Sequence, residues 1–226
     1  MLRRYEIYSL DPHAPPERVA TMARVMRDAH RYIPEVLHSA IGYNRSPVGV
    51  SFIWEHAYAS PETYQRYMIH PFHANIYDRF LLNDSPERIV VNNSYDVGLL
   101  GYSCGSAVYF LPSGAARRVV LLRLKPGASG AFHAIAEKAR KANPRMIQSV
   151  IGENTFATRW LDGVTQILED TTYTHIWEQG YATLSDAAAA SSAWQTQARD
   201  LTERVIEVWY QLETGYGYDA APAATS

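Results

Sequence analysis

One cysteine in 226 residues, Cys104, leaves no intramolecular disulfide and no cysteine-based zinc site. Nowhere do 18 apolar residues run together. The start, Met1-Leu2-Arg3-Arg4-Tyr5-Glu6, turns polar within a few residues and lacks the apolar stretch of a secretion signal. The expectation is a soluble cytoplasmic chain without membrane contact. Basic clusters are scarce too: none exceeds the pairs Arg3-Arg4 and Arg117-Arg118, and a net charge of −2 offers nucleic acid no footprint. There is no Gly-rich phosphate loop, Walker motif or Cys/His cluster, so neither a cofactor nor a metal is expected.

What the chain has is apolar and aromatic. With 47% hydrophobic residues it can build one large or two small domains with real cores. Its 16 tyrosines are many for the length. Strand propensity accounts for most of them, and phenols lining a cavity would also suit an oxygenated aromatic ligand.

In chain order, Arg4 to Leu10 reads as a strand, and Pro15-Pro16-Glu17-Arg18 opens an amphipathic helix with Val19, Met22, Val25, Met26 and Ala29 on one face, ended by Pro34. Val36 to Tyr43 and Val50 to Ala59 read as strands around a turn at Asn44 to Gly49. Ser60 is placed to cap a helix with Pro61 at its first position. That helix runs to about His70, where Pro71 kinks the chain before a short restart. Ile89 to Tyr95 is a fourth strand. Strand, helix, strand, strand, helix, strand is the split βαβ arrangement, an antiparallel sheet with helices on one face. Within it, Tyr64 to Phe80 concentrates two histidines and three tyrosines around one proline. His73 falls in the first turn of the restart, where the helix dipole favours a neutral imidazole, and Tyr67 can face the same space.

The second half repeats the first. Ser39-Ala40-Ile41-Gly42 recurs as Ser149-Val150-Ile151-Gly152, and Trp54-Glu55-His56-Ala57-Tyr58 as Trp177-Glu178-Gln179-Gly180-Tyr181. The offsets, 110 and 123, put a 13-residue insertion near Phe156 to Asp170. The second copy also has a strand, Arg117 to Leu124, and a helix, Ala128 to Lys141. The expected organisation is a first α+β repeat over 1–98, a linker over 99–116, a second, diverged repeat over 117–216 and a disordered tail over 217–226. Two ferredoxin-like repeats, each with a four-stranded sheet, then pack sheet to sheet. The pairing is satisfied within a monomer, or the chain dimerises again. Where copy 1 has its kink, copy 2 has Leu184-Ser185-Asp186 and an alanine run, Ala187 to Ala190, which can simply be helix.

Tyr67-Met68-Ile69-His70-Pro71-Phe72-His73 resembles the Y-x-x-H-P-x-H signature of the stress-responsive dimeric α/β-barrel (Dabb) family. Ile33-Pro34-Glu35-Val36 and Gly42-Tyr43-Asn44-Arg45-Ser46-Pro47 resemble the segments that precede it there. The resemblance covers roughly residues 3 to 98 and is nearest to polyketide cyclases of the olivetolic acid cyclase type. It implies a dimeric α+β barrel, here within one chain, and a cofactor-independent lyase, cyclase or isomerase acting on a small phenolic, lignin-derived or polyketide-like molecule. It carries a general acid/base role to His73 and a hydrogen-bonding or oxyanion role to Tyr67.

Tyr173-Thr174-His175-Ile176 resembles the cyclase stretch that bears a catalytic histidine, which makes His175 a third catalytic candidate. Tyr173, His175 and Trp177 alternate along that strand and are expected to share a face. Phe52 holds the position matching His175 in copy 1, and Tyr5 or Glu6 lies near the family's first-strand histidine. Phe52, Trp54, Tyr77, Tyr173 and Trp177 are the expected substrate-lining residues. His70 is expected to bond local carbonyls at the kink. A metal on His70 and His73 would need a third ligand from Asp78 or His56. The histidines at 13, 30, 38, 56 and 133 show no partner at useful spacing. Two other readings are a non-catalytic, stress-responsive binding or scaffold barrel, and a haem-binding α+β barrel.

Overall fold

A computed structural model describes residues 1–82, 84–100, 102–103, 110–155, 173–190 and 193–215. The expected insertion and the tail lie outside the described residues. In the first half, strand β1 (Leu2–Leu10) leads to helix α1 (Pro16–Arg27), β2 (His38–Tyr43), β3 (Phe52–Tyr58), α2 (Pro61–Met68), a π-helical turn (His73–Tyr77), α3 (Asp78–Leu81) and β4 (Val90–Leu100). After the short β5 (Tyr102–Ser103), the second half gives β6 (Ala116–Leu124), α4 (Ser129–Ala142), β7 (Met146–Glu153) and β8 (His175–Tyr181). The chain then continues through α5 (Leu184–Ala188), α6 (Ala193–Ala198), β9 (Thr202–Gln211) and β10 (Glu213–Thr214). No helix among the described residues is long and apolar enough to cross a membrane.

The fold is α+β; among the described residues there are two antiparallel sheets and no closed barrel. The sheets run β10-β2-β3-β1-β4 and β5-β7-β8-β6-β9. Each has five strands rather than four, because a short edge strand is exchanged. Glu213 and Thr214 pair with Ile41 and Ala40, while Tyr102 and Ser103, within the stretch read as linker, pair with Ile151 and Val150.

Strand alternation divides the side chains into three layers. Residues opposed across a ladder share a face, so Arg4, Glu6 and Tyr8 stand beside His56, Trp54 and Phe52. This face packs under α1 and α2 in a core that includes Met22, Met26, Trp54, Tyr58 and Tyr67. Tyr5, Ile7 and Ile53 face the other way and meet Val119, Leu121, Ile176 and Tyr210 between the sheets. The outer face of the second sheet, with Val120, Leu122 and Trp177, packs under α4 and α6.

Two helix boundaries differ from expectation. Helix α1 stops at Arg27, ahead of Pro34, because Ala29 to Arg31 tightens into a 3₁₀ turn. The alanine segment of copy 2 forms two short helices, not one. The Arg118 guanidinium donates to the carbonyls of Ala187 at 3.4 Å and Ala190 at 2.8 Å at the end of α5, where Ala187 O also accepts the Ala190 N–H at 3.4 Å.

Ions are buried between the sheets. Arg117, fully buried, reaches Glu55 at 3.1 and 3.2 Å, Glu178 at 2.7 Å and Gln148 at 2.8 Å. Arg3 donates to the same Glu178 oxygen at 2.7 Å, and the Tyr210 hydroxyl donates to Glu55 at 2.6 Å. Burial alone would raise the Glu55 pKa. The Arg117 charge and the His38 bond outweigh it and hold the carboxyl well below the usual range.

Candidate functional site

The floor of the site is the helix-facing side of the first sheet. The Arg4 guanidinium clamps Asp96 with two bonds, 2.8 and 2.6 Å, and lies 3.2 Å from Glu6. Glu6 Oε1 accepts the Tyr8 hydroxyl at 2.7 Å, and Glu6 Oε2 lies 3.0 Å from His56 Nε2. The Tyr58 hydroxyl meets His56 Nδ1 at 2.6 Å. If Tyr58 donates to Nδ1, the ring proton sits on Nε2 and faces Glu6. Neither Nε2 nor Oε2 completes a bond of good geometry, so this contact is an electrostatic one. Trp54 stacks on His56 with ring centres 4.2 Å apart, and its N–H is taken by Ser39 at 2.8 Å.

The roof comes from α2 and the π-helical turn. Ser60 caps α2, its hydroxyl accepting from Thr63 N–H at 3.3 Å, and Pro61 follows without a donor to satisfy. Tyr64 and Tyr67 hang from the buried side of α2, and Tyr64 covers the Arg4 guanidinium at 5.4 Å. The helix ends at Met68, and His70 Nδ1 accepts from Phe72 N–H at 3.2 Å, a capping role at the kink. The wider π-helical turn then sets both His73 and Tyr77 on the buried side.

The His73 and Tyr67 rings meet edge to face at 4.6 Å, Tyr77 lies 6.0 Å from His73, and His56 lies 5.5 Å from Tyr67. Burial first, then the Arg4 charge, lowers His73 to about 4; the dipole expected from sequence is not the main cause. Burial pushes Tyr67 well above the usual phenol range, so it stays a donor. Burial and Arg4 also lower His56. His73 Nδ1 and the hydroxyls of Tyr67 and Tyr77 are buried without a partner of good hydrogen-bond geometry. Such groups cost roughly 1–3 kcal/mol each until something bonds them.

The expected site residues therefore divide. Tyr67, His73, Tyr77 and Trp54 come together. Phe52 is in the same core, next along the face of β3 from Trp54, where it stacks on Tyr8 at 6.3 Å. His175 belongs to the second sheet and does not join them. Both of its nitrogens are engaged, by Thr174 and Ser129 at 3.0 Å each. Tyr173, His175 and Trp177 do not share one face: β8 begins only at His175, so alternation does not reach Tyr173. Tyr173 packs between the sheets, edge-on to Tyr95 at 5.6 Å, while Trp177 points to α4 and α6. The expectation that His56 and His38 lack partners is corrected by Glu6 and Tyr58 for the first and Glu55 at 3.2 Å for the second. Sequence reading missed Arg4, Tyr58 and Asp96, named Glu6 only as lying near a family position and His56 only as a conditional metal ligand, and did not pair the two. The available signal was the alternation Arg4-Glu6-Tyr8 against Trp54-His56-Tyr58, legible only once the two strands are placed side by side.

The second half is an internal control. By ladder register Arg118 and Glu207 stand where Arg4 and Asp96 do, and they also form an ion pair. Trp177 donates to Ser149 at 2.9 Å as Trp54 does to Ser39, and Tyr181 donates to Gln179 at 2.7 Å. These shared contacts hold a helix-covered sheet together in either half. Glu6 and His56, by contrast, become Val120 and Gln179. The ionisable pair is particular to the first half.

No family model and no curated protein matches the chain. Solved structures do. A candidate monooxygenase from Lactobacillus acidophilus aligns with TM-score 0.58 at 10% identity, covering 94% of each chain. An anthrone oxidase-like protein aligns with TM-score 0.60 at 10% identity over 98% of this chain and 96% of its own. Chlorite dismutase from Candidatus Nitrospira defluvii aligns with TM-score 0.58 at 10% identity over 94% and 90%. At such identity the likeness defines the class by fold alone: a two-repeat ferredoxin-like α+β chain of the dimeric α+β barrel type.

Proposed function

We propose that this chain is a cofactor-independent enzyme, a lyase, cyclase or isomerase, that moves a proton on a small phenolic, lignin-derived or polyketide-like molecule. The observation that carries the reading is a neutral, buried His73 with a free ring nitrogen, in edge contact with a Tyr67 whose hydroxyl is free to donate. His73 takes a proton from an acidic C–H or phenolic O–H of the substrate, and the electron pair left behind moves onto the substrate oxygen. Tyr67, kept protonated by burial, donates a hydrogen bond to that oxyanion, and the imidazolium returns the proton in the closing step. His56 and Glu6 position the Tyr67 ring from below. The Y-x-x-H-P-x-H resemblance and the anthrone oxidase-like neighbour support an aromatic or polyketide-like substrate.

One observation favours a scaffold barrel instead: Tyr67 is fully buried among other rings, as a core residue would be. The readings part on a melting-temperature panel of phenols and polyketide-like ketones against native protein and the His73→Ala/Tyr67→Phe double variant. A ligand at 100 times its Kd adds about 2.7 kcal/mol, a shift of several degrees. A chemical class that shifts the native protein and not the variant supports the enzyme. A panel that shifts neither leaves the scaffold. For a haem site, the third reading, the described residues of the cavity in the second half include neither histidine nor cysteine; their thioether is Met146, and the hydroxyl of Tyr181 is donated to Gln179.

A further inference from the structure

The alanine run of copy 2 puts small side chains where copy 1 carries large ones. Tyr64, Tyr67, Tyr77 and Phe80 belong to the core between helices and sheet in the first half. Over the second sheet the corresponding segment carries Ala187, Ala189, Ala190 and Ala193, and a cavity of about 360 Å³ opens under α4, α5 and α6. That is the size of a small-molecule site.

Its wall has a definite chemistry. Trp177 and Trp194 meet edge to face at 5.4 Å and offer aromatic surface, while Ile135 and Ala139 make an aliphatic side. The Trp194 indole N–H is buried without a hydrogen-bond partner, on a side chain only 3% exposed. An unmet donor in a dry wall calls for an acceptor. At the rim, Arg145 is neutralised by Asp186 at 3.1 Å, whereas among the described residues no carboxylate pairs with the exposed Lys138. The rim therefore carries a surplus positive charge.

We infer that this cavity is a second binding site, for a small aromatic carboxylic acid. The ring lies against Trp177 and Trp194, and the acid group takes the indole N–H and the Lys138 ammonium. The site binds and does not react: among the described residues no histidine lines it, the one acidic residue of its wall is paired with Arg145, and Gln179 and Val120 replace the ionisable pair of the first half.

The test is calorimetric titration of the full chain with 1-naphthoate and its uncharged counterpart 1-naphthamide. Saturable binding of naphthoate is expected, about tenfold weaker in Trp194→Phe, which keeps the ring and loses the donor, and several-fold weaker in Lys138→Ala. Ala139→Phe should fill the cavity and abolish binding, and naphthamide should bind more weakly than naphthoate. Lys138 is exposed, so its variant tests the proposal even if Ala139→Phe fails to fold. No saturable binding overturns the inference. So does full affinity in either Lys138→Ala or Trp194→Phe, or naphthamide binding as tightly as naphthoate.

Discussion

His73 and Tyr67 divide the work because burial moves them in opposite directions. An imidazole lowered to about 4 is an unprotonated base at neutral pH, and a phenol raised above its ordinary value cannot compete for that role. Replacing His73 by alanine should lower turnover at least ~100-fold while the melting curve stays cooperative. The acid limb of kcat/KM should lie near pH 4, with activity flat from about pH 6 to 8, because the free enzyme protonates His73 only there. An acid limb near 6.5 would mean an exposed or different base. At this scale the sequence was half legible. The kink motif pointed to Tyr67 and His73, since a proline between histidines leaves a visible mark. The pairing of His56 with Glu6 was silent, because the two lie on different strands and no local spacing records a ladder register.

At the scale of elements, α2 and β3 matter most. Ser60 and Pro61 start α2 where they do because one supplies an oxygen and the other lacks a donor, and that start was readable in sequence. Ser60→Ala should cost about 1 kcal/mol in a urea melt, with an unchanged slope. Trp54, fully buried and bonded to Ser39, anchors β3 beneath the roof, and Trp54→Ala should cost ~3–5 kcal/mol. A loss below 1 kcal/mol would show that the core collapses around the gap. Less legible were elements set by distant groups. The end of α5 is met by Arg118, which donates to the Ala187 and Ala190 carbonyls from another strand, and the edge strands Tyr102–Ser103 and Glu213–Thr214 pair with the opposite sheet. The π-helical turn likewise follows from packing rather than from composition.

Across the whole molecule, the fold class was legible from strand order and the duplicated tryptophan-glutamate segments, whereas the seam between the halves was not. Arg117 and Glu55 are distant in sequence and join only when the sheets face each other. Arg117→Ala should cost about 3–5 kcal/mol, since it leaves carboxylates buried with fewer partners. Burial is the first cause lowering His38, His56, His73 and His175 below the ordinary histidine value. For His73 the unfolded chain therefore binds more protons than the folded one from about pH 6.5 down to about 4, and His38, His56 and His175 act in the same direction below about pH 6.5. The histidine contribution to stability should be full above about 6.5 and decline as pH falls toward 4, by up to ~1.4 kcal/mol per unit for His73. A melting temperature flat across that window would contradict it.

The most direct measurement is hydrogen–deuterium exchange at carbon. Small phenols and polyketide-like ketones are incubated in D₂O with the native protein or the His73→Ala variant, without added cofactor, and deuterium uptake is read by mass spectrometry. The account predicts that at least one class exchanges faster with native protein and loses most of that acceleration, at least ~100-fold, in the variant. Exchange that is absent across the panel, or equal in both proteins, would contradict proton transfer by His73.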